Sequence, residues 1–184
     1  FVTSSNTIAA GACSGTGLPP KAVGETLGIA KAYCTRVGNG VFPTEEFGEE
    51  GALIREKGKE FGTTTGRARR CGWFDAVAAR YACKLNGCDS LAIMKLDVLD
   101  GFPEVKVCVA YEKDGQTITN YPQDVENYKP IYKALKGWSS TEGIREFEKL
   151  PQEAKEYIAF LEEILETKIS LISTSPERED TIRR

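Results

Sequence analysis

Hydrophobic positions along the 184-residue chain follow two periods. Phe74, Val77, Ala78, Tyr81, Ala82 and Leu85 recur at three- and four-residue spacings, which predicts a helix with one apolar face. Asn86-Gly87 follows as a stop, because glycine readily takes the left-handed conformation that closes a helix. A second helix opens at Pro151, whose fixed φ suits a first turn, and places Ala154, Tyr157, Ile158, Leu161 and Leu165 on its inner face. Leu91-Ala92-Ile93-Met94 is an unbroken apolar run, as expected of a strand buried on both faces of a parallel sheet. Val105, Val107, Val109 and Tyr111 alternate with more polar neighbours, and Asp114-Gly115 predicts a tight turn into residues 116–120. Ile169 to Ile172 reads as a short last strand.

Weaker signals fill the remainder. Val23, Leu27 and Ala30 predict a modest helical stripe across 21–33. The glycine- and proline-rich stretches 11–20 and 36–43 read as loops, and 45–61 as a charged, exposed segment. Helix-flanked apolar strands with one antiparallel hairpin place the chain in the α/β class, with no internal repeat and no linker.

Composition narrows the function. Hydrophobic residues make up 41% and charged residues 28%, a globular balance, and the net charge of −3 argues against nucleic-acid binding by bulk electrostatics. Phosphate or carboxylate recognition would have to come from a local cluster, and Arg67, Arg69 and Arg70 form the densest. The six cysteines make no CxxC pair and there is no histidine, so a zinc site of ordinary spacing is not expected. Cys83 and Cys108 fall in apolar runs and read as small core residues. Scattered thiols, together with the lack of a leader-like start or a long apolar run, lead us to expect a soluble protein of the reducing cytoplasm. Because the chain starts at Phe1 without a methionine, we expect a portion of a longer protein.

Three polar clusters sit where elements begin or end. GTTTGRARRCGW (62–73) combines hydroxyls, guanidiniums and glycines in one loop just ahead of the first helix, donors suited to an anion. The alternative is an exposed basic turn held by salt bridges. Lys95-Leu96-Asp97 ends the apolar strand, at the edge where α/β sheets bind ligands. A carboxylate there can accept from guanine N1–H and its 2-amino group, a donor pair adenine lacks; a solvated strand end would look the same. Val2 to Thr7 could equally be a capping turn. Asp97 and Asp100 lack the neighbouring base that paired acid–base carboxylates would need.

Taken together, VTSSNT (2–7), RVGNGVFPTE (36–45), GTTTGRARRCGWFDAVA (62–78), KLDVLDG (95–101) and STSPER (173–178) resemble the adenylosuccinate synthetases, in order and spacing along essentially the whole chain. The resemblance is to the C-terminal part of that family's single domain, so residues 1–184 are expected to lack its N-terminal half. It implies a fold related to the P-loop GTPases, with a mostly parallel sheet plus the hairpin. It also implies a cytoplasmic homodimer of AMP biosynthesis that transfers the GTP γ-phosphoryl group to the 6-oxygen of IMP and then displaces it with the amino group of L-aspartate. Mg2+ would support the transfer, with its ligands on the half not present here.

Carried over by position, Thr63, Thr64, Thr65, Gly66, Arg67, Ala68 and Arg69 resemble the loop that closes on aspartate. Arg67 would also meet IMP, and Arg69 the GTP phosphates. Lys95, Leu96 and Asp97, with Ser173, Thr174 and Ser175, resemble the guanine-contacting segments, while Thr3 and Val37 resemble IMP contacts. Ser175 stands where the family usually has glycine, and Met94 where a polar residue is more usual. The family's catalytic aspartate and histidine and its phosphate loop have no counterpart in this sequence. The resemblance therefore implies a chain that binds but does not by itself catalyse; the alternative is a stand-alone guanine-nucleotide-binding module without ligase activity.

Overall fold

The computed structural model describes residues 6–184. In chain order its strands are β1 (Leu27–Lys31), β2 (Cys34–Arg36), β3 (Arg70–Gly72), β4 (Phe74–Asp75), β5 (Ser90–Met94), β6 (Glu104–Lys113), β7 (Gln116–Ile118), β8 (Lys129–Lys136), β9 (Lys168–Ser173) and β10 (Thr181–Arg183). Its helices are α1 (Ala10–Thr16), α2 (Glu49–Lys57), α3 (Ala76–Asn86) and α4 (Gln152–Leu165).

The α/β expectation is met. One sheet runs β1-β5-β9-β10, with the first three strands parallel and β10 antiparallel on β9. β5 is the apolar run read from the sequence, and Leu91, Ala92 and Ile93 are all buried. A second sheet is organised by β6, which pairs β8 and β7 antiparallel and β4 parallel. β2 and β3 form a separate antiparallel pair. α3 and α4 pack on one another, and α4 also reaches β8 and β9. Each apolar residue expected on the inner face of α4 is buried, and Tyr157 adds a hydrogen bond from its hydroxyl to the Ala32 carbonyl (2.7 Å).

Several local expectations give way. The stripe at 21–33 is not a helix: Leu27–Lys31 is β1, paired residue for residue with β5. Gly28 explains the strand, because a Cβ there would lie 2.6 Å from the Leu91 side chain. Residues 10–16 form the short α1 rather than a loop, closed by Gly17 at φ 73°. The segment 45–61 is not simply exposed, since it builds α2 and buries Ile54 and Glu60 completely.

α3 begins at Ala76, not Phe74, because the Asp75 carboxylate caps it by accepting from the Ala78 amide (3.0 Å). β3, Trp73 and β4 therefore intervene between the arginine loop and the helix. The buried face of α3 is Ala76, Val77 and Cys83, while Tyr81 and Leu85 stay exposed. In β6 the register shifts between Cys108 and Ala110, so Cys108, Ala110 and Tyr111 are buried and Val109 only half-buried. The Asp114-Gly115 turn has positive φ at both residues (52° and 76°), the two-residue hairpin geometry expected. β8, which pairs along most of β6, was not foreseen; its Pro130 disguises a strand that lies at the sheet edge.

Candidate guanine and anion site

β5 ends in a sharp change of backbone. Lys95 adopts a left-handed conformation (φ 63°), and the chain continues as a short 3-10 turn, Leu96–Leu99. A non-glycine residue in that region stores strain that its surroundings must offset. Here Leu96 and Leu99 are fully buried, and the Lys95 ammonium donates to the Gly58 carbonyl (2.7 Å) and to Glu60 Oε1 (2.9 Å). Asp97 is left at the turn's surface with its Oδ1 buried and without a hydrogen-bond partner among the described residues. Burial raises its pKa above the ordinary carboxylate value, and the charges of Asp100 and Glu142 add to the effect.

Asp100, three residues on, is the opposite case. It accepts from Trp138 Nε1 (2.7 Å), from the Thr141 amide (2.7 Å) and hydroxyl (2.8 Å), and from the Glu142 amide (3.1 Å). It is an organiser of the 138–142 loop, in keeping with the reading that the two aspartates are not an acid–base pair. Lys57, Asp97, Asp100, Ser139, Ser140 and Glu142 face an open cavity of about 480 Å³.

Ser173 ends β9, the parallel neighbour of β5, and Thr174 and Ser175 follow it, so both polar segments emerge from the same end of the sheet. All three are buried. The Thr174 hydroxyl donates to the Ile144 carbonyl (2.7 Å), and the Thr174 carbonyl accepts from the Gly143 amide (3.3 Å). The 138–144 loop thus joins the two segments. Ser175, the departure from glycine, donates its hydroxyl to Asp180 Oδ2 (2.6 Å) and accepts from the Glu177 amide (2.9 Å). Arg145 holds the other oxygen of Asp180 (2.7 Å). The extra side chain is therefore spent inside the loop.

The arginine loop divides its three cations among different tasks. Arg70 donates from Nε to both oxygens of Glu45 (2.9 and 2.8 Å) and from Nη1 to the Gly40 carbonyl (2.7 Å). It clamps the 38–45 loop and is not part of an anion cradle, which corrects the simple reading of three donors in one cluster. Arg69 pairs through Nη1 with Glu60 Oε2 (2.7 Å), and its Nε is buried without a hydrogen-bond partner among the described residues. The Arg67 side chain is exposed and makes no hydrogen bond among the described residues. Between Gly62 and Arg67 the loop closes on itself, with Gly62 N on the Arg67 carbonyl (2.8 Å) and Gly66 N on the Gly62 carbonyl (2.8 Å). Gly66 sits at φ 62°, leaving Thr63, Thr64, Thr65 and Ala68 exposed.

Glu60 was not singled out in the sequence, where it is one acid among many in a charged run. Its side chain is fully buried. Oε1 accepts from Lys31 (2.8 Å), the Tyr33 hydroxyl (2.6 Å) and Lys95 (2.9 Å), and Oε2 from Arg69. Burial alone would raise the Glu60 pKa, but hydrogen bonds from Lys31, Tyr33, Lys95 and Arg69 outweigh it and hold the carboxyl at about 2. Arg69 also lines a cleft of about 370 Å³ with Val37, Cys34, Thr44, Asp75 and Tyr121. Burial pushes the Cys34 thiol up to about 12, which disfavours its thiolate. The structure thus brings Val37 beside Arg69, and Arg69 to Lys95 through Glu60. Thr3 lies outside the described residues.

A profile of the family described as adenylosuccinate synthetase matches residues 1–182. The chain belongs to the adenylosuccinate synthetase family. It is 68% identical over 184 residues to the adenylosuccinate synthetase of Wolinella succinogenes and 64% identical over 182 residues to that of Helicobacter hepaticus. These alignments cover 100% and 99% of this chain but 44% of each relative. Among solved structures, the fully ligated adenylosuccinate synthetase from Plasmodium falciparum superposes with a TM-score of 0.95 at 39% identity, covering 100% of this chain and 45% of that one. A cyanophage succinoaminodeoxyadenylate synthetase superposes at 0.57 with 16% identity, over 98% of this chain and 40% of that one, a likeness of fold alone. The chain thus spans less than half the length of these relatives.

Proposed function

We propose that the whole protein carrying this chain is a GTP-dependent ligase of purine nucleotide biosynthesis, and that the chain supplies its guanine- and aspartate-binding walls. The overall reaction would move the γ-phosphoryl group of GTP to the 6-oxygen of IMP, releasing GDP. The amino group of L-aspartate would then attack C6, and the C6–O bond would break as phosphate leaves with the former 6-oxygen, giving adenylosuccinate. The observation that carries this reading is Asp97: a buried, unpartnered carboxylate oxygen beside Lys95 at the carboxyl end of a central parallel strand.

Asp97 would accept from guanine N1–H and the 2-amino group while the Lys95 stem covers the ring. Burial makes an unmatched partner costly there, which is how a hydrogen-bonding site gains selectivity. The 173–175 segment, held in place by Asp180 and the 138–144 loop, would supply backbone contacts on the other side, and Ser175 leaves them free because its hydroxyl is already committed. Arg69 would bind the aspartate carboxylate and the GTP phosphates, with Arg67 at the junction of aspartate and IMP and Thr63 to Ala68 closing over them. Val37 and Thr3 would contact IMP. A homodimer and a cytoplasmic location belong to the same reading; among the described residues no helix is long and apolar enough to cross a membrane.

Magnesium would neutralise phosphate charge during the transfer. Among the described residues no three Cys, Asp or Glu side chains gather into a metal-sized cluster, and in this reading the magnesium ligands belong to the part of the protein outside this chain.

The test is an assay of the whole protein with GTP, IMP and aspartate, repeated for Asp97→Asn. The variant should lose kcat/KM for GTP by at least about 10²-fold and gain relative use of xanthosine triphosphate, because asparagine offers a donor to the 2-oxo group. An unchanged ratio of the two nucleotides would remove Asp97 from the guanine site.

A further inference from the structure

We propose that Glu60 is a positioning residue that couples the two ligand sites, so that occupation of the guanine side by nucleotide tightens aspartate binding at Arg69. The inference rests on the ligase reading above and adds a residue to it. The Glu60 side chain bonds both Lys95, at the proposed guanine turn, and Arg69, at the proposed aspartate loop. Further bonds hold Glu60 against Arg69: the Arg69 amide donates to the Glu60 carbonyl (2.9 Å), the Glu60 amide to the Arg55 carbonyl (2.9 Å), and the Arg55 side chain, through Nε, to the Arg69 carbonyl (2.7 Å). Lys95 is joined to this arrangement through the Glu60 carboxylate, the route by which a shift at the turn would reach Arg69.

Charge gives the coupling its sign. Three cations, Lys31, Lys95 and Arg69, surround one fully buried carboxylate. The cluster carries an excess of positive charge next to a guanidinium Nε that lacks an acceptor. An anionic ligand at Arg69 offsets that excess, and a nucleotide that locks the Lys95 turn keeps the remaining cations in place to receive it. Lys95 itself is held left-handed by the same carboxylate, so a weaker tether would let the turn relax and carry Asp97 with it. Reciprocity then requires aspartate to tighten nucleotide binding by the same factor.

The experiment measures KM for aspartate at several GTP concentrations, and KM for IMP, in the whole protein and its Glu60→Gln and Glu60→Asp variants. Glu60→Gln should raise the aspartate KM about 10-fold or more and abolish its dependence on GTP, with the IMP KM changed less than about threefold and partial recovery in Glu60→Asp. Loss of thermal stability or kcat with the aspartate KM and its GTP dependence intact would overturn the coupling and leave Glu60 a structural residue. Should Glu60→Gln not fold, a cycle of Arg69→Leu and Lys95→Met decides instead: non-additive effects on kcat/KM for aspartate support the link, and additive ones overturn it. A wild-type protein that does not use these three substrates would refute the ligase reading, an outcome distinct from an active wild type with an indifferent Glu60 variant.

Discussion

Two carboxylates at the site respond to burial in opposite directions, and the difference separates binding from stability. The Asp97 pKa is raised by burial and by its acidic neighbours, so its charged form is less favourable in the folded state than in the unfolded chain. Its ionisation lowers stability as pH rises through the window from the ordinary value of 3.8 to the elevated folded one. Asp97→Asn should therefore keep or raise the melting temperature at pH 7 without nucleotide, a gain that shrinks in acid, while the same change disables guanine selection. Glu60 is lowered to about 2 from 4.5, so its contribution is full above 4.5 and is lost as pH falls toward 2. Glu60→Gln should cost about 3–5 kcal/mol in denaturant unfolding at pH 7, with the gap to wild type closing below pH 4.5. Lys95 to Asp97 stood out in the sequence because they end an apolar strand, and Ser173 to Ser175 only through the family resemblance; Glu60 did not stand out, because only the fold surrounds it with cations.

Among the elements, the 138–144 loop ties together the two segments proposed to face guanine. It is tied to β5's turn through Asp100 and to β9's extension through Thr174 and Ile144. Asp100→Asn would retain one acceptor but set an NH2 group against the backbone amides of Thr141 and Glu142. We expect a loss of about 2 kcal/mol, read as a lower urea midpoint with an unchanged slope. The helices show how periodicity fares when packing arbitrates. In α4 the apolar stripe matched the buried face in full, because the helix lies on the core along its length. In α3 the stripe was read about one residue off, since Asp75 fixes the start at Ala76 and leaves Tyr81 and Leu85 at the surface. The β1 segment was misread altogether: three apolar residues at helical spacing cannot outweigh five ladder partners on β5.

At the scale of the molecule, the sheet is open at β1. Its other edge has no partner among the described residues, Ile29 is 76% exposed, and an apolar cavity of about 700 Å³ lies between α1, β1 and α3. An unpaired, apolar edge on a parallel sheet is unusual in a finished fold, and the curated relatives are more than twice as long as this chain. Amides of β1 that face away from β5 should exchange quickly in the 184-residue chain alone and be protected in the whole protein, as hydrogen exchange would read out. By itself the sequence determined the α/β class, the buried β5, the faces of α4, the Asp114-Gly115 hairpin and the family, because these depend on periodicity, turn chemistry and local motifs. Only the tertiary structure decided that Arg70 clamps a loop while Arg69 joins Glu60, that Ser175 turns away from the sheet end, and that β1 is a strand. Arg70 and β1 take partners 25 or more residues away, and even the nearer partners of Arg69 and Ser175 are chosen by how the loops pack rather than by residue type alone.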